Sequence, residues 1–455
     1  MKIRACAIVF LLSLFFLPGG ALWSQNQRVS QDLPTRRIED DSGLRSVLEA
    51  SWFKESPAKV VIKEPEIHTL GGGSRIQVRI ETGRNRDEFA IVLAREQNGA
   101  FPGWAQGSWV LTRRRDNSGS ALQIRVFLRS DYNTYVQFRP FSDEKSYMDV
   151  VLYDAYLIRS LPIPVPFDRL LTLPVEDSLS LAGNQFPRRY FDPNPDAYRD
   201  SRSFISAVRA QLPGLEYQDD GAMDENGNYV FIDTLAPQDT FAPGLNCSGF
   251  AKWIVDGIIK ASGGEKLPIL PLKMPFGTRG SSFTEPWESL RDPYFGLDWC
   301  RNLAGAAWTT LRSSAFAALA EIEVRDWPFS SLIERQDGGS TLRSYPGFVS
   351  NAGFPFEGLS SLLYSLAINE PGRIYLAAVN DELGAPVTPD NPRGLPRFRQ
   401  YYHIAVLVPY FNERGVFQVA VFESAVETPF TRFRSRYPGQ YVNLARVPME
   451  GRFEP

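Results

Sequence analysis

The sequence predicts an α+β protein, with an N-terminal antiparallel β-sandwich or barrel module and a mixed α and β domain after it. Three observations carry this expectation. Between residues 58 and 185, seven short runs alternate apolar with polar residues, the period of strands with one buried face. PIPVPFDRLLTLP (162–174) is a Pro-rich exit from that pattern. From residue 186 to the end, helical and strand periodicities interleave.

Taken in order, the chain begins with what reads as an export signal over 1–24. Lys2 and Arg4 precede an apolar run from Ala5 to Leu17, and Pro18-Gly19-Gly20-Ala21 supplies the small residues of a cleavage site, with Ser24 a second option. That run is shorter than the roughly 20 residues that span a bilayer, and no later stretch approaches that length. The mature chain is therefore expected to be secreted or periplasmic, without a transmembrane segment. Residues 25–57 are polar and read as a flexible segment. The β module (58–185) contains KVVIKEP, SRIQVRIET, EFAIVLARE, GSWVLTR, ALQIRVFLRS, TYVQFRPF and YMDVVLYDAYLI, with TLGGGS and RRRDNSGS as connections. His68, beside the TLGGGS turn, reads as a surface residue. NQFPRRYFDPNPDAYRD (184–200) looks like a linker. SRSFISAVRAQL then reads as a helix stopped by Pro213-Gly214.

Hydrophobic residues make up 43% and charged residues 22%, which fits a chain with a proper core. A net charge of −3 gives no bulk attraction for nucleic acid. Past the export signal only two cysteines, Cys247 and Cys300, and two histidines remain, and His68 has no second ligand at metal-binding spacing. No metal or cofactor is expected. A Cys247–Cys300 disulfide is the structural alternative to a reactive thiol.

Cys247 lies in NCSGF (246–250), followed by AKWIVDGIIKA. Asn246 is a good N-cap, and Phe250, Trp253, Ile254 and Ile258 repeat at helical spacing up to Gly263-Gly264. Cys247 is thus expected in the first turn, where unpaired amides and the positive helix end favour a thiolate. Ser248 and Gly249 are small and leave the sulfur accessible. NCS is also a glycosylation sequon, which is discounted in a bacterial type of exported chain.

A thiolate nucleophile needs a proton carrier. His403 opens the strand HIAVLVPYF, an unusual place for a titratable group. HIAVLV, PYFNERG and VFQVAVFES read as a hairpin turning near Asn412 to Gly415, which places His403 opposite Glu423, or opposite Ser424 if a bulge shifts the register. Glu423 is the preferred partner for the far imidazole nitrogen. Gln418 falls near Val408, too far along the strand to orient the ring.

The NCSGF helix start, the strand GRIYLAAV (372–379), the strand-opening His403 and a polar residue on the next strand resemble the NlpC/P60 group of papain-like cysteine peptidases. Asn246 stands where that motif usually has Asp, and Glu423, where a second His is common, is closer to the related CHAP amidases. The resemblance implies a papain-like α+β domain over 186–455, interrupted by an insertion of about 265–365. It implies Cys247, His403 and Glu423 as a catalytic triad, and peptidoglycan stem peptides or another amide as substrate. Family members often add an upstream Tyr to the oxyanion site. Tyr229 is the nearest candidate, although it reads as an ordinary strand residue. Two other readings stay open: a non-catalytic envelope protein that keeps this fold, and a thiol acyltransferase or amidase acting away from the wall.

Overall fold

In the computed structural model, which describes residues 32–82, 87–239, 241–276, 292–312, 317–336, 339–345, 347–381, 388–389 and 400–455, the alternating runs pair in chain order. The expected export signal, 1–24, lies outside the described residues. Strands β1 (Glu66–Thr69), β2 (Arg75–Thr82), β3 (Glu88–Arg95), β4 (Trp109–Arg114), β5 (Ala121–Val126), β6 (Tyr135–Pro140), β7 (Ser146–Leu152) and β8 (Ala155–Ile163) each pair antiparallel with the next. β9 (Gly221–Met223) and β10 (Tyr229–Phe231) form a separate ribbon. β11 (Leu332–Gln336) and β12 (Gly339–Arg343) return from the expected insertion and extend the first sheet beyond β8.

The result is one ten-stranded meander, not a sandwich or barrel: among the described residues the edge strands β1 and β12 do not pair with each other. Helical segments supply the second layer. Leu48, Trp52, Phe53 and Val60 from the N-terminal side, and Phe167, Leu170 and Leu171 from the other, share a core with Val78, Leu93, Leu111 and Val126 of the sheet.

The described part of the segment expected to be flexible, 32–57, is therefore helical and packed. Its polarity is deceptive. Arg45, on the helix Ser42–Leu48, is fully buried because Asp41 Oδ1 accepts from its Nε at 2.8 Å and the carbonyls of Leu171 and Leu173 accept from the guanidinium at 3.0 and 2.9 Å.

Three further local expectations are corrected. KVVIKEP is not a strand: it starts in the short helix Pro57–Val60, and β1 begins at Glu66. YMDVVLYDAYLI is two strands, β7 and β8, folded at Tyr153-Asp154, both with positive φ (49° and 64°), the conformation of a tight hairpin turn. The linker-like stretch 184–200 is integral: Tyr190, Phe191 and Tyr198 are buried, and Tyr198 Oη donates to the Ala367 carbonyl at 2.9 Å. His68 lies at the surface beside Glu66, as expected.

The second sheet comprises β13 (Phe354–Pro355), β14 (Arg373–Asn380), β15 (Tyr401–Phe411), β16 (Phe417–Glu423), β17 (Val426–Thr428) and β18 (Tyr441–Pro448), in the order β13-β18-β14-β15-β16-β17, all pairs antiparallel. Both faces are covered. The helices Cys247–Ala261 and Phe295–Arg312 pack with Ile374, Leu376, Ala378, Ile404 and Val406. The helix Leu359–Asn369 packs with Tyr375, Ala377, Ala405 and Leu407 on the other. Strands buried on both faces read as continuous apolar runs, which is why IYLAAV and IAVLVPYF lack alternation. The expected insertion, 265–365, is therefore a working part of both layers: it supplies the helix Phe295–Arg312, β11, β12 and β13. Among the described residues no helix is long and apolar enough to cross a membrane.

The cysteine helix crosses the β9–β10 ribbon so closely that a Cβ on Gly249 would overlap the Gly221 carbonyl oxygen and crowd Ala222. Gly249→Ala should therefore lower stability by about 3 kcal/mol, read as a fall in the urea midpoint. An unchanged midpoint would show that the ribbon can move aside.

Candidate active site

Cys247 is the first residue of its helix. Asn246 is extended (φ −82°, ψ −173°), and its Oδ1 accepts the Gly249 N–H at 2.8 Å. Its own N–H donates to the Gly221 carbonyl at 2.9 Å, tying the helix start to β9. The approach is fixed by the buried Gln238, whose Nε2 donates to the Val230 and Gly244 carbonyls (2.8 and 3.1 Å) and whose Oε1 accepts the Gly244 N–H at 2.8 Å. On the far side, Trp299 Nε1 donates to the Ser248 carbonyl at 3.0 Å. Gly263 ends the helix at φ 85°. The half-buried Cys247 and the buried Cys300 are both free thiols, so the disulfide alternative does not form. Burial pushes the Cys300 thiol well above its ordinary pKa, which leaves it a packing residue.

His403 stands on β15 beside Val379 of β14. The hairpin to β16 turns where expected, with Asn412 N–H donating to the Val416 carbonyl at 3.0 Å and Gly415 at φ 70°. The register differs from the expected one. Tyr410 pairs with Gln418 and Val406 with Phe422, and on the His403 side the ladder between β15 and β16 ends at that Val406–Phe422 rung. Continued at this register, Glu423 would face Ala405, two residues from His403 and on the same face of the strand, so it meets the ring diagonally rather than directly. The longer carboxylate side chain bridges the offset: Glu423 Oε2 and His403 Nε2 are 2.7 Å apart. Gln418 is opposite Tyr410, not Val408, and its Oε1 accepts the Tyr410 hydroxyl at 2.6 Å. Ser424 sits in the left-handed turn after β16 (φ 46°).

With Nε2 committed to Glu423, Nδ1 is the ring nitrogen left for the thiol. Burial raises the Cys247 pKa, but the hydrogen bond and charge of His403, helped by the Ile404 backbone amide and the Ser248 hydroxyl, lower it by more. Burial disfavours imidazolium at His403, yet hydrogen bonds and charge from Cys247 and Glu423 prevail and hold its pKa at about 9. Glu423 is 4% exposed; burial pushes its pKa up, and hydrogen bonds from His403, Thr428 and Arg436 bring it down to about 2. The three groups favour thiolate, imidazolium and carboxylate together, the charge state of an activated sulfur nucleophile with its acid in place.

Several contributors escaped the sequence reading. Thr428 Oγ1 donates to Glu423 Oε1 at 2.6 Å, and Arg436 pairs with the same oxygen. Thr428 arrives through a tight β16–β17 turn at Ser424-Ala425, both with positive φ, which no glycine or asparagine marks. Tyr437 lies 6.1 Å from the His403 ring, centroid to centroid. Tyr217, 59% exposed, is close enough to Cys247 to feel its charge. Tyr229 pairs with Met223 in the ribbon as an ordinary strand residue. The signal for Tyr217 was its place upstream of NCSGF in GLEYQDD, a stretch with no period of its own. Among the described residues no group of three or more His, Cys, Asp or Glu could hold a metal ion.

A family model described as a domain of unknown function (DUF8515) matches residues 34–190. That span takes in the N-terminal helices and β1 to β8 and ends before the cysteine helix. No curated protein and no solved structure matches the chain.

Proposed function

We propose that this chain is an exported cysteine hydrolase that opens amide bonds through Cys247, His403 and Glu423. The likeness of NCSGF and its partner strands to the NlpC/P60 group points to peptidoglycan stem peptides as the substrate, and to a papain-like reading of the second sheet and its helices. The observation that carries the reading is the relay of contacts: Glu423 at 2.7 Å from one imidazole nitrogen, and a thiol whose pKa the same ring lowers.

In this mechanism the Cys247 thiolate attacks the amide carbonyl. The developing oxyanion is met by first-turn amides, such as that of Cys247, that have no carbonyl partner within the helix. Imidazolium gives its Nδ1 proton to the nitrogen as the C–N bond breaks, and the amine leaves. The neutral ring then takes a proton from water. The hydroxide attacks the thioester, the C–S bond breaks, and acid, thiolate and imidazolium result. The free state of both cysteines favours this over the scaffold reading.

The test is digestion of purified wall and of soluble stem peptides, with mass spectrometry of the products. The expected result is fragments heavier by one water in total, with new amine and carboxyl ends. Intact wall beside cleaved non-wall amides would remove the substrate assignment. No cleavage together with a slowly alkylated Cys247 would remove the hydrolase assignment.

A further inference from the structure

The face of the first sheet turned away from the helices is not bare. Core residues alternate with outward ones along β2 to β5: Val78, Ile91, Leu111 and Ile124 point to the helices, whereas Arg79, Val92, Thr112 and Arg125 line a cleft of about 1060 Å³. The chain between β3 and β4 folds back as one wall and is held there. Arg79 Nη1 donates to the Phe101 carbonyl at 2.8 Å, and Gly103 lies so close to Val92 that an added Cβ would come within 3.2 Å. Cys247, His403 and Glu423 are not part of this lining.

Three features define what the cleft takes. Its charges balance, Arg79 and Arg125 against Glu81 and Glu88, so it offers no net attraction to a phosphate or other anion. Two of its five aromatic rings are open to solvent, Trp104 at 37% and Tyr132 at 51% exposed, whereas Phe89 and Phe127 are buried. Guanidinium groups lie over two of the rings, Arg75 over Phe101 at 5.5 Å and Arg335 over Tyr132 at 4.7 Å, which steadies each ring. Finally, polar side chains interleave with the apolar ones. Gln123 donates to Thr112 at 3.3 Å, and Glu81 is paired with Arg79.

An acyl chain laid in the cleft would cover the solvent-exposed part of the Glu81 carboxylate and return no hydrogen bond to it. A sugar ring instead presents a flat C–H face to an aromatic ring and hydroxyls around its edge. The volume sits at the top of the roughly 300–1,000 Å³ of small-molecule sites, room for several rings. We propose that this cleft binds a neutral saccharide chain. The inference stands apart from the hydrolase reading, because it uses none of the triad.

The test is titration calorimetry on the full chain in the Cys247→Ala background, with cellotetraose and chitotetraose as probes and palmitate as the acyl alternative. At least one tetrasaccharide should bind. Its affinity should fall at least tenfold in Trp104→Ala and in Tyr132→Ala, with the melting temperature held. Tyr132, the more exposed ring, keeps the test alive if Trp104→Ala folds poorly. Three results overturn the proposal: no binding of either tetrasaccharide at millimolar concentration, binding that both variants retain, or palmitate binding that Trp104→Ala removes.

Discussion

Cys247→Ala should abolish amide hydrolysis, a loss of roughly 10⁶-fold in turnover, while the fold stays intact. The loss is large because sulfur supplies the covalent step itself. Without it, His403 and the first-turn amides are left to assist direct attack by water, and groups that act as a unit lose most of their effect when one is removed. The fold should survive because Cys247 is half-buried at the helix start, alanine is a good helix residue, and the Asn246–Gly249 cap does not involve the sulfur. The urea midpoint should therefore move by less than about 1 kcal/mol equivalent. Iodoacetamide gives a matched readout. Wild-type Cys247 should alkylate faster than an ordinary thiol at neutral pH, since its pKa is lowered, while Cys300 stays protected by burial. A variant that turns over at the wild-type rate would place the nucleophile elsewhere.

The meeting of these three side chains was legible in the sequence because Cys247 opens its helix, Glu423 closes β16 and His403 lies within three residues of the start of β15, where local rules are strongest. Asn246 marks the helix start that holds Cys247, and the Asn412–Gly415 turn marks the hairpin that brings Glu423 back toward His403. What could not be read was set by tertiary pairing. The register slipped because the loop length, not the residue types, decides which rungs face each other. Thr428 and Arg436 reach Glu423 through a turn built on Ser424-Ala425, whose positive φ has no sequence marker. The open sheet was taken for a sandwich or barrel because alternation reports one buried face but not what buries it. Here the cover is helical, partly from residues whose polarity hid buried partners such as Arg45 and Asp41. β11 and β12 join a sheet whose other strands ended more than a hundred residues earlier, a pairing that local patterns do not encode.

Glu423→Gln should cut turnover by roughly 10³-fold and narrow its pH range from both sides. In the wild type the active pair is thiolate with imidazolium. Activity should rise as Cys247 loses its proton, below the ordinary thiol pKa, and fall as His403 loses its own at about 9. Glu423, at about 2, stays ionised throughout and holds both limits apart. Glutamine removes the anion, so the His403 pKa falls, the ring holds less charge for the sulfur, and the thiol pKa climbs in turn. The amide also has one acceptor where the carboxylate has two. If its oxygen stays with Thr428 and Arg436, its NH₂ faces Nε2, which forces the proton to Nδ1 in the neutral ring and leaves no base beside the sulfur. Stability should follow the same groups. The folded Glu423 pKa is depressed, so its contribution is complete above its ordinary 4.5 and is lost as pH falls toward about 2. The folded His403 pKa is raised, so its contribution is complete below 6.5 and is lost as pH climbs through about 9. Profiles of kcat/KM against pH, with unfolding midpoints at about pH 2–5 for Glu423 and about pH 6–10 for His403, test these expectations. A glutamine variant whose alkaline limb stays near pH 9 would detach Glu423 from the ring and leave it a structural anchor for Arg436.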